Sequence, residues 1–298
     1  MNSTWYNVTV VLLWVASMSW LISQKVMPAL LVGEPPSYRT IVKAKQEEPL
    51  VGWSMALNDR QVGWALNTTS PLPRNMTEVR SLVHFDDLPL EEMTPTWLRS
   101  LLIPESGWPE GLQLEAKGTL VFDPLERLSQ FVSSVGFQGM DDVVKVRGTL
   151  DGSELTLSVR SGDFTYETEL KVPQEALLSD GLSPQTNLPG LREGQTWNVR
   201  IYSPLRPPTN PIEILQATVE ESKTILWDGR LVETWLVVYR NDPGAGTANA
   251  RTPRGKLWVH DDGTVLKQEA MLFGSTMTFV RLSGEEAAAL AESVGDWE

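Results

Sequence analysis

Short runs of alternating apolar and polar residues, broken by turn sequences, are the feature that most constrains the fold of this chain. Asp151-Gly152, Asp228-Gly229 and Asp262-Gly263 each stand between two such runs. An Asp-Gly pair favours a tight hairpin turn, because glycine accepts the positive φ that the turn requires. A period of two places one side of each run on a core. The sequence therefore predicts a mainly β fold, a curved antiparallel meander or half-barrel.

Two stretches of the chain repeat one pattern of residues, and from the aspartate onward their spacings are identical. The matching residues are Gly118, Leu120, Asp123, Leu128, Gln130 and Gly136 in one stretch, and Gly255, Leu257, Asp261, Leu266, Gln268 and Gly274 in the other. We interpret each as a strand, a turn and a second strand, so residues 125–136 are predicted to be strand although their apolar spacing also fits a helix. Two similar units, 51–173 and 191–283, are expected within a β-rich domain over 51–283.

An uncharged stretch lies near the N-terminus, between Trp5 and Ser23. A helix of that length spans roughly 28 Å, close to the ~30 Å hydrocarbon thickness of a bilayer. The tail before it carries no basic residue and no A-x-A site follows, which argues against a cleaved signal peptide. We therefore predict a single-pass transmembrane anchor over 1–32, contacting the membrane through residues 5–23, and a proline- and charge-rich tether over 33–50.

The orientation of this anchor is less directly encoded. The basic residues Arg39, Lys43 and Lys45 follow the apolar stretch, which by the positive-inside rule would place the body in the cytoplasm. A large, cysteine-free and tryptophan-rich β body favours export instead. We expect a bacterial cytoplasmic-membrane protein with its body on the periplasmic side.

Two short accessory helices are also predicted. Thr94-Pro95 provides an N-cap followed by proline at the first helical position, and apolar residues then recur at helical spacing. The segment GEEAAALAES is alanine-rich with acidic residues at its start, which favours a helix within the C-terminal part, 284–298.

Composition excludes several classes of function. The 298 residues include no cysteine, which removes disulfides, thiolate zinc sites and cysteine nucleophiles, and the net charge of −13 argues against a nucleic-acid partner. His260-Asp261-Asp262 could form a metal corner or a general base, but a strand end entering a turn explains it better, and the same holds for His84-Phe85-Asp86-Asp87. We predict no catalytic residue, no metal and no cofactor.

Tryptophan is unusually abundant, with 12 residues. Each ring can fill a core, since it buries roughly 150–250 Å². With so few predicted helices, part of an apolar sheet face could also stay available to an acyl chain or a peptide. The candidate residues for such an apolar groove are Trp64, Trp197, Trp235 and Trp258.

The tethered meander and the L-x-Q-x5-G strand pairs resemble bacterial exported half-barrels, in particular the LolA/LolB-like lipoprotein-carrier superfamily. The segments GQTWNVRIY, RGKLWV and DDGTVLKQE also look like β modules that precede transglutaminase-like domains. The resemblance implies a half-barrel with a hydrophobic concavity. It does not imply lipoprotein carriage, because the chain has neither a lipobox cysteine nor a transglutaminase Cys-His-Asp set.

Three functional hypotheses follow from these features. The first is a non-enzymatic, membrane-anchored envelope protein that binds an apolar ligand, lipid or lipoprotein-like, or a partner protein. The alternative is a structural or accessory subunit of a membrane transporter complex, assembled through the N-terminal helix. A hydrolase of envelope polymers would need His260 as its base.

Overall fold

The computed structural model describes residues 3–21, 41, 43, 46, 48, 50–86, 113–137, 140–162, 164–171, 183–202, 212–241, 252–272 and 274–295. Helix α1 covers Ser3–Leu21 and helix α2 covers Gly284–Val294. A short 3-10 helix spans Pro73–Asn75. The strands are β1 Leu50–Leu57, β2 Arg60–Leu72, β3 Met76–Phe85, β4 Leu114–Phe122, β5 Leu128–Phe137, β6 Met140–Asp151, β7 Glu154–Ser161, β8 Phe164–Lys171, β9 Thr196–Tyr202, β10 Ile212–Trp227, β11 Arg230–Asn241, β12 Gly255–Val259, β13 Val265–Leu272 and β14 Ser275–Arg281.

Within the described residues these strands form one 14-stranded sheet with antiparallel pairing throughout. Strands β1 to β8 follow one another as a meander, and so do β9 to β14. The two meanders are joined where β1 pairs with β14, with Trp53 opposite Arg281. Strands β8 and β9 are the two ends of the order, so the curved sheet is not closed. The predicted mainly β, antiparallel architecture is confirmed.

The local turn predictions are confirmed as well. Asp151-Gly152 connects β6 to β7, Asp228-Gly229 connects β10 to β11, and the Asp262-Gly263 turn lies between β12 and β13. Both copies of the internal repeat form a strand, a turn and a strand, β4–β5 and β12–β13. Residues predicted as strand over 125–136 fall mainly in β5, which settles the ambiguity between strand and helix.

The predicted N-terminal helix is present as α1, but its assignment as a membrane span is not supported. Among the residues that the structure describes, no helix combines the length and apolar character needed to cross a bilayer. Serine, threonine and asparagine side chains are interspersed among the valines and leucines of α1 and lower its mean hydropathy.

Helix α2 confirms the C-terminal prediction. Ser283 and Glu286 form a capping box, in which each side chain bonds to the other residue's backbone N–H. The helix contacts β1, and the Leu282 N–H donates to the Gly52 carbonyl at 2.9 Å. The helix predicted after Thr94-Pro95 lies outside the described residues.

Several residues of the predicted tether contact the sheet. Ile41 is buried in the main core with 5% of its surface exposed. Gln46 Nε2 donates to Thr77 Oγ1 at 2.7 Å, and Glu48 pairs with Arg281. Residue Leu50 already begins β1. The boundaries of the predicted anchor, tether and units stay predictions.

The two faces of the sheet differ in what they carry. We call inner the face that bears Trp53, Ala65 and Val259, and outer the opposite face. The inner side chains form one large buried cluster that draws on both meanders, and a second buried cluster lies farther along β3 to β8. The sheet therefore has its main core on one side, as its alternating sequence requires.

Candidate functional site: the inner face of the sheet

One part of the inner face is covered by the connector between the two meanders. The Leu188 N–H donates to the Gly263 carbonyl at 2.7 Å, and the Val265 N–H donates to the Thr186 carbonyl at 3.0 Å. Gln185 N–H bonds to Gln268 Oε1 at 2.9 Å. Leu188 itself is buried to 1% exposure within the core. We call the inner face of β1 and β9 to β14, with this connector over it, the closed part.

A second part of the inner face, on strands β5 to β8, is less covered, and we call it the wing. Val135, Val144 and Val159 are half-buried there, and Tyr166, which stands opposite Val159, is 38% exposed. Toward the β6–β7 turn the same face is tightly buried, with Leu155 fully enclosed. Described apolar side chains of the wing therefore remain partly accessible, and Tyr166 is the most exposed of these four.

The four tryptophans predicted to line a groove lie on opposite faces. Trp197 is buried in the main inner core, and Trp235 packs against that core from β11. Trp64 follows Gly63 and precedes inner Ala65, so it points outward. Trp258 is also on the outer face, between inner residues of β12. The structure therefore brings Trp197 and Trp235 into one core and places the other two elsewhere.

Each outer tryptophan has its own neighbours. Trp258 belongs to a small cluster with Leu236 and Val238, and Lys267 Nζ lies 4.6 Å from its ring centroid. Trp64 stacks on His84 with ring centroids 5.1 Å apart. Neither ring lines the wing. Ligand binding by the tryptophans stays a prediction.

His84 lies near the end of β3 between two carboxylates. Its Nε2 is 3.3 Å from Asp86 Oδ1, and its Nδ1 is 3.3 Å from Glu115 Oε1. The imidazole also stacks on Trp64 of the neighbouring strand. All of these neighbours lie on the outer face or its rim.

His260 lies at the turn between β12 and β13, as the turn interpretation predicts. Its Nδ1 is 3.1 Å from Asp262 Oδ2, and the Thr264 N–H donates to Asp262 Oδ1 at 2.8 Å. Burial raises the pKa of Asp262, but the bonds from Thr264 and His260 outweigh it, so this pKa lies below its ordinary value. The carboxylate therefore stabilises the turn. No group of three potential metal ligands exists among the described residues.

The sequence interpretation did not single out Arg281, the most buried charged side chain at the junction of the two meanders. It is 4% exposed, and its Cζ lies 5.7 Å from the ring centroid of Trp53. Nη1 donates to the carbonyls of Thr186, at 3.0 Å, and Val265, at 3.3 Å. Nη2 pairs with Glu48. Its only sequence signal was an arginine within the mostly apolar run MTFVRL.

No protein-family model and no curated protein matches this chain. The solved structures that are similar to it include three at low sequence identity. A β-barrel-like protein of domain of unknown function DUF1849 from Brucella abortus has a TM-score of 0.47 and 8% identity, over 78% of this chain and 95% of that chain. A DUF1089 family protein from Pseudomonas aeruginosa has a TM-score of 0.35 and 16% identity, over 68% and 87%.

The third similar structure is the hypothetical lipoprotein YmcC from Escherichia coli, with a TM-score of 0.26 and 12% identity, over 82% of this chain and 88% of that chain. All three scores lie below the range that indicates a shared fold. The resemblance to LolA/LolB-like carriers stays a prediction.

Proposed function

We propose that this chain is a non-enzymatic protein of the bacterial envelope, which binds an apolar ligand or an apolar segment of a partner protein on the inner face of its sheet. The observation that carries the proposal is the wing. Val144, Val159 and Tyr166 lie on the inner face of adjacent strands there, and the described parts of the chain leave them partly accessible. Pockets for apolar ligands have linings of this kind.

The chemistry of the described side chains is in keeping with binding rather than catalysis. His260 and Asp262 hold a turn, and His84 stacks on Trp64 away from the inner face. A hydrolase would need a base beside an accessible substrate site.

A pair of single-carboxylate variants on β7 tests this proposal. Val159→Asp places a charge on the wing, whereas Thr156→Asp places the same charge on the exposed outer face of the same strand. We expect Val159→Asp to weaken binding of the apolar dye Nile red by about tenfold or more, because a charge on an apolar surface opposes its desolvation. Thr156→Asp should leave dye binding unchanged.

Tyr166→Asp provides a second wing variant at a more exposed position, in case Val159→Asp lowers stability. Equal dye binding by the parent chain and both wing variants, measured by fluorescence titration, would contradict the proposal. Mass spectrometry of lipids that co-purify with the parent chain and not with the wing variants would support it.

A second candidate function, an accessory subunit of a membrane transporter complex, is favoured by helix α1. Its residues Val11 to Ser19 are exposed, including Leu13 at 70% and Trp14 at 61%. Clustered exposed apolar side chains of this kind mark sites of interaction with a protein or a membrane. We propose that α1 associates with a membrane or with a membrane protein, and that the body lies on the periplasmic side.

Replacing residues 3–21 with an unrelated apolar helix separates the two functions. If α1 serves only to hold the protein at a membrane, ligand binding and membrane fractionation should survive the exchange. Loss of a cross-linked membrane-protein partner, with retained fractionation, would favour the accessory role. A parent chain that fractionates without membranes would contradict the proposed role of α1.

A further inference from the structure

We propose that the junction of the two meanders is a binding site for a carboxylate-bearing amphiphile of the fatty-acid type, which takes the place of Glu48 on Arg281. This site is separate from the wing, so the inference stands whether or not the wing binds a ligand. It rests on a buried cation, on unpaired polar atoms beside it, and on what the chain itself places there.

The buried cation is Arg281. A guanidinium at 4% exposure has lost nearly all its water, and it is stabilised only if its donors find acceptors. Two carbonyls, from Thr186 and Val265, engage Nη1 and leave the opposite side of the fork for an anion. A carboxylate matches that geometry, because its oxygens accept the charged N–H groups of a guanidinium.

The polar atoms beside Arg281 supply the second observation. Within the described residues, the buried indole N–H of Trp53 and the buried hydroxyl of Thr186 have no hydrogen-bond partner. Both residues contact Arg281, through the Trp53 ring and the Thr186 carbonyl. Leaving such groups unpaired is unfavourable. Each is a donor, so together with the guanidinium they suit an anion.

Glu48, the side chain of this protein that occupies the site on Arg281, indicates the class of ligand. Glu48 places its carboxylate on Arg281 while its side chain remains 46% exposed, so it approaches from the surface. Ile41, a short way before Glu48 in the sequence, is buried in the main inner core, to which Trp53 beside Arg281 also belongs. A ligand that replaces both would carry an apolar chain and a carboxylate, which is the chemistry of a fatty acid.

The test compares dodecanoate with dodecanol, which share an apolar chain and differ in charge. In the full-length chain, Glu48→Ala removes the internal competitor, so dodecanoate affinity should rise by about tenfold, because charge-assisted hydrogen bonds are the strong ones. Dodecanol affinity should not change. Glu220→Ala is the matched control, since Glu220 has similar exposure and pairs with Arg240 outside the junction.

Two further measurements keep the result interpretable. Dodecanoate should raise the melting temperature of Glu48→Ala more than that of the parent chain, because it restores a partner to Arg281. Thr186→Val removes one unpaired donor, so it should weaken the binding of dodecanoate and leave the binding of dodecanol unchanged. The wing variant Val159→Asp should keep the preference for dodecanoate, which separates this site from the proposed function.

The proposal is overturned if Glu48→Ala binds dodecanoate no better than Glu220→Ala does. It is also overturned if dodecanoate and dodecanol stabilise the Glu48→Ala variant equally. In either case Arg281 would serve only to tie the connector and the Glu48 segment to the sheet.

Discussion

In the closed part of the inner face Met277 and Phe279 are buried to 2% exposure or less, whereas in the wing Val159 is half-buried and Tyr166 is 38% exposed. Both regions consist of consecutive antiparallel strands with apolar side chains on the same face. They differ in what lies over that face. The connector packs onto the closed part, and Ile41 belongs to the main core. The second buried cluster, next to the wing, consists within the described residues of side chains from β3 to β8.

The comparison shows that one strand pattern can serve two purposes along a single sheet. Where another segment covers the apolar face, burial contributes to stability, at about 1.5–3 kcal/mol for each large side chain. Where that cover is thinner, the same kind of face can contact a ligand. Stability should therefore concentrate in the closed part and binding in the wing.

Removing an aromatic ring from each region should give the largest difference in the free energy of unfolding between the two regions. Phe279→Ala in the closed part should lower the free energy of unfolding by about 3–5 kcal/mol, because it leaves a cavity in a packed core. Tyr166→Ala in the wing should cost about 1 kcal/mol. Urea unfolding measures both, and similar losses would show that the wing is as tightly packed as the closed part.

A smaller effect isolates the connector. Gly263 has a φ of +92°, and a Cβ added there would lie 2.5 Å from Pro189 Cα of the connector. Gly152, in the β6–β7 turn of the wing, has a φ of +60° with no atom within 4 Å of such a Cβ. Gly263→Ala should cost about 2–4 kcal/mol and Gly152→Ala about 1–2 kcal/mol.

The difference between these two glycine variants reports the contact with Pro189, since both positions share the strain of a positive φ. Thermal unfolding of each variant beside the parent chain provides the measurement. If both variants lose the same free energy of unfolding, the connector moves away from the added Cβ at no cost in stability. It would then not be packed tightly on the inner face.

The smallest effect concerns the turns of the two repeat copies at different pH. Burial raises the pKa of Asp123, but the bonds from the Arg127 backbone and side chain and from Leu125 outweigh it, so the pKa lies below its ordinary value. Because the pKa is lowered in the folded protein, the ionised Asp123 carboxylate stabilises the fold above its unfolded-state pKa. This stabilisation is lost as pH falls through the folded-state pKa.

We therefore expect Asp123→Ala to lower the free energy of unfolding by about 1–2 kcal/mol at pH 7. The difference in this free energy between the variant and the parent chain should become smaller below about pH 4. Asp262→Ala should show the same sign with a smaller effect, because its carboxylate is 61% exposed. Urea unfolding across this pH range checks both variants. If the difference in the free energy of unfolding between Asp123→Ala and the parent chain stays constant down to pH 2, the stabilising role of the ionised Asp123 is contradicted.

The local parts of the fold were predictable because their determinants are adjacent in the chain. Asp-Gly pairs specify hairpins with their own φ requirements, and Ser283 with Glu286 specifies the start of α2. The match between the repeat copies identified β5 as a strand, where its own apolar period could not. These features depend on a few neighbouring residues rather than on the tertiary fold.

The site was harder to predict, because it depends on the side of each strand and on distant pairings. Tryptophan count alone grouped Trp64 with Trp197, whereas alternation with Ala65 places Trp64 on the outer face. The pairing of Trp53 with Arg281 joins residues from opposite ends of the chain. The uncharged length of α1 suggested a membrane span, which its mean hydropathy does not support.

The pairing of β1 with β14 also has a consequence for biosynthesis. Among the described strands, every other pair joins neighbours in sequence, so those hairpins can form as the chain leaves the ribosome. Strand β1 must instead wait for β14. Until then one of its edges has bare N–H and C=O groups that can recruit a foreign strand. A stop codon before residue 275 would make that exposure permanent, turning a late assembly step into a route to aggregation.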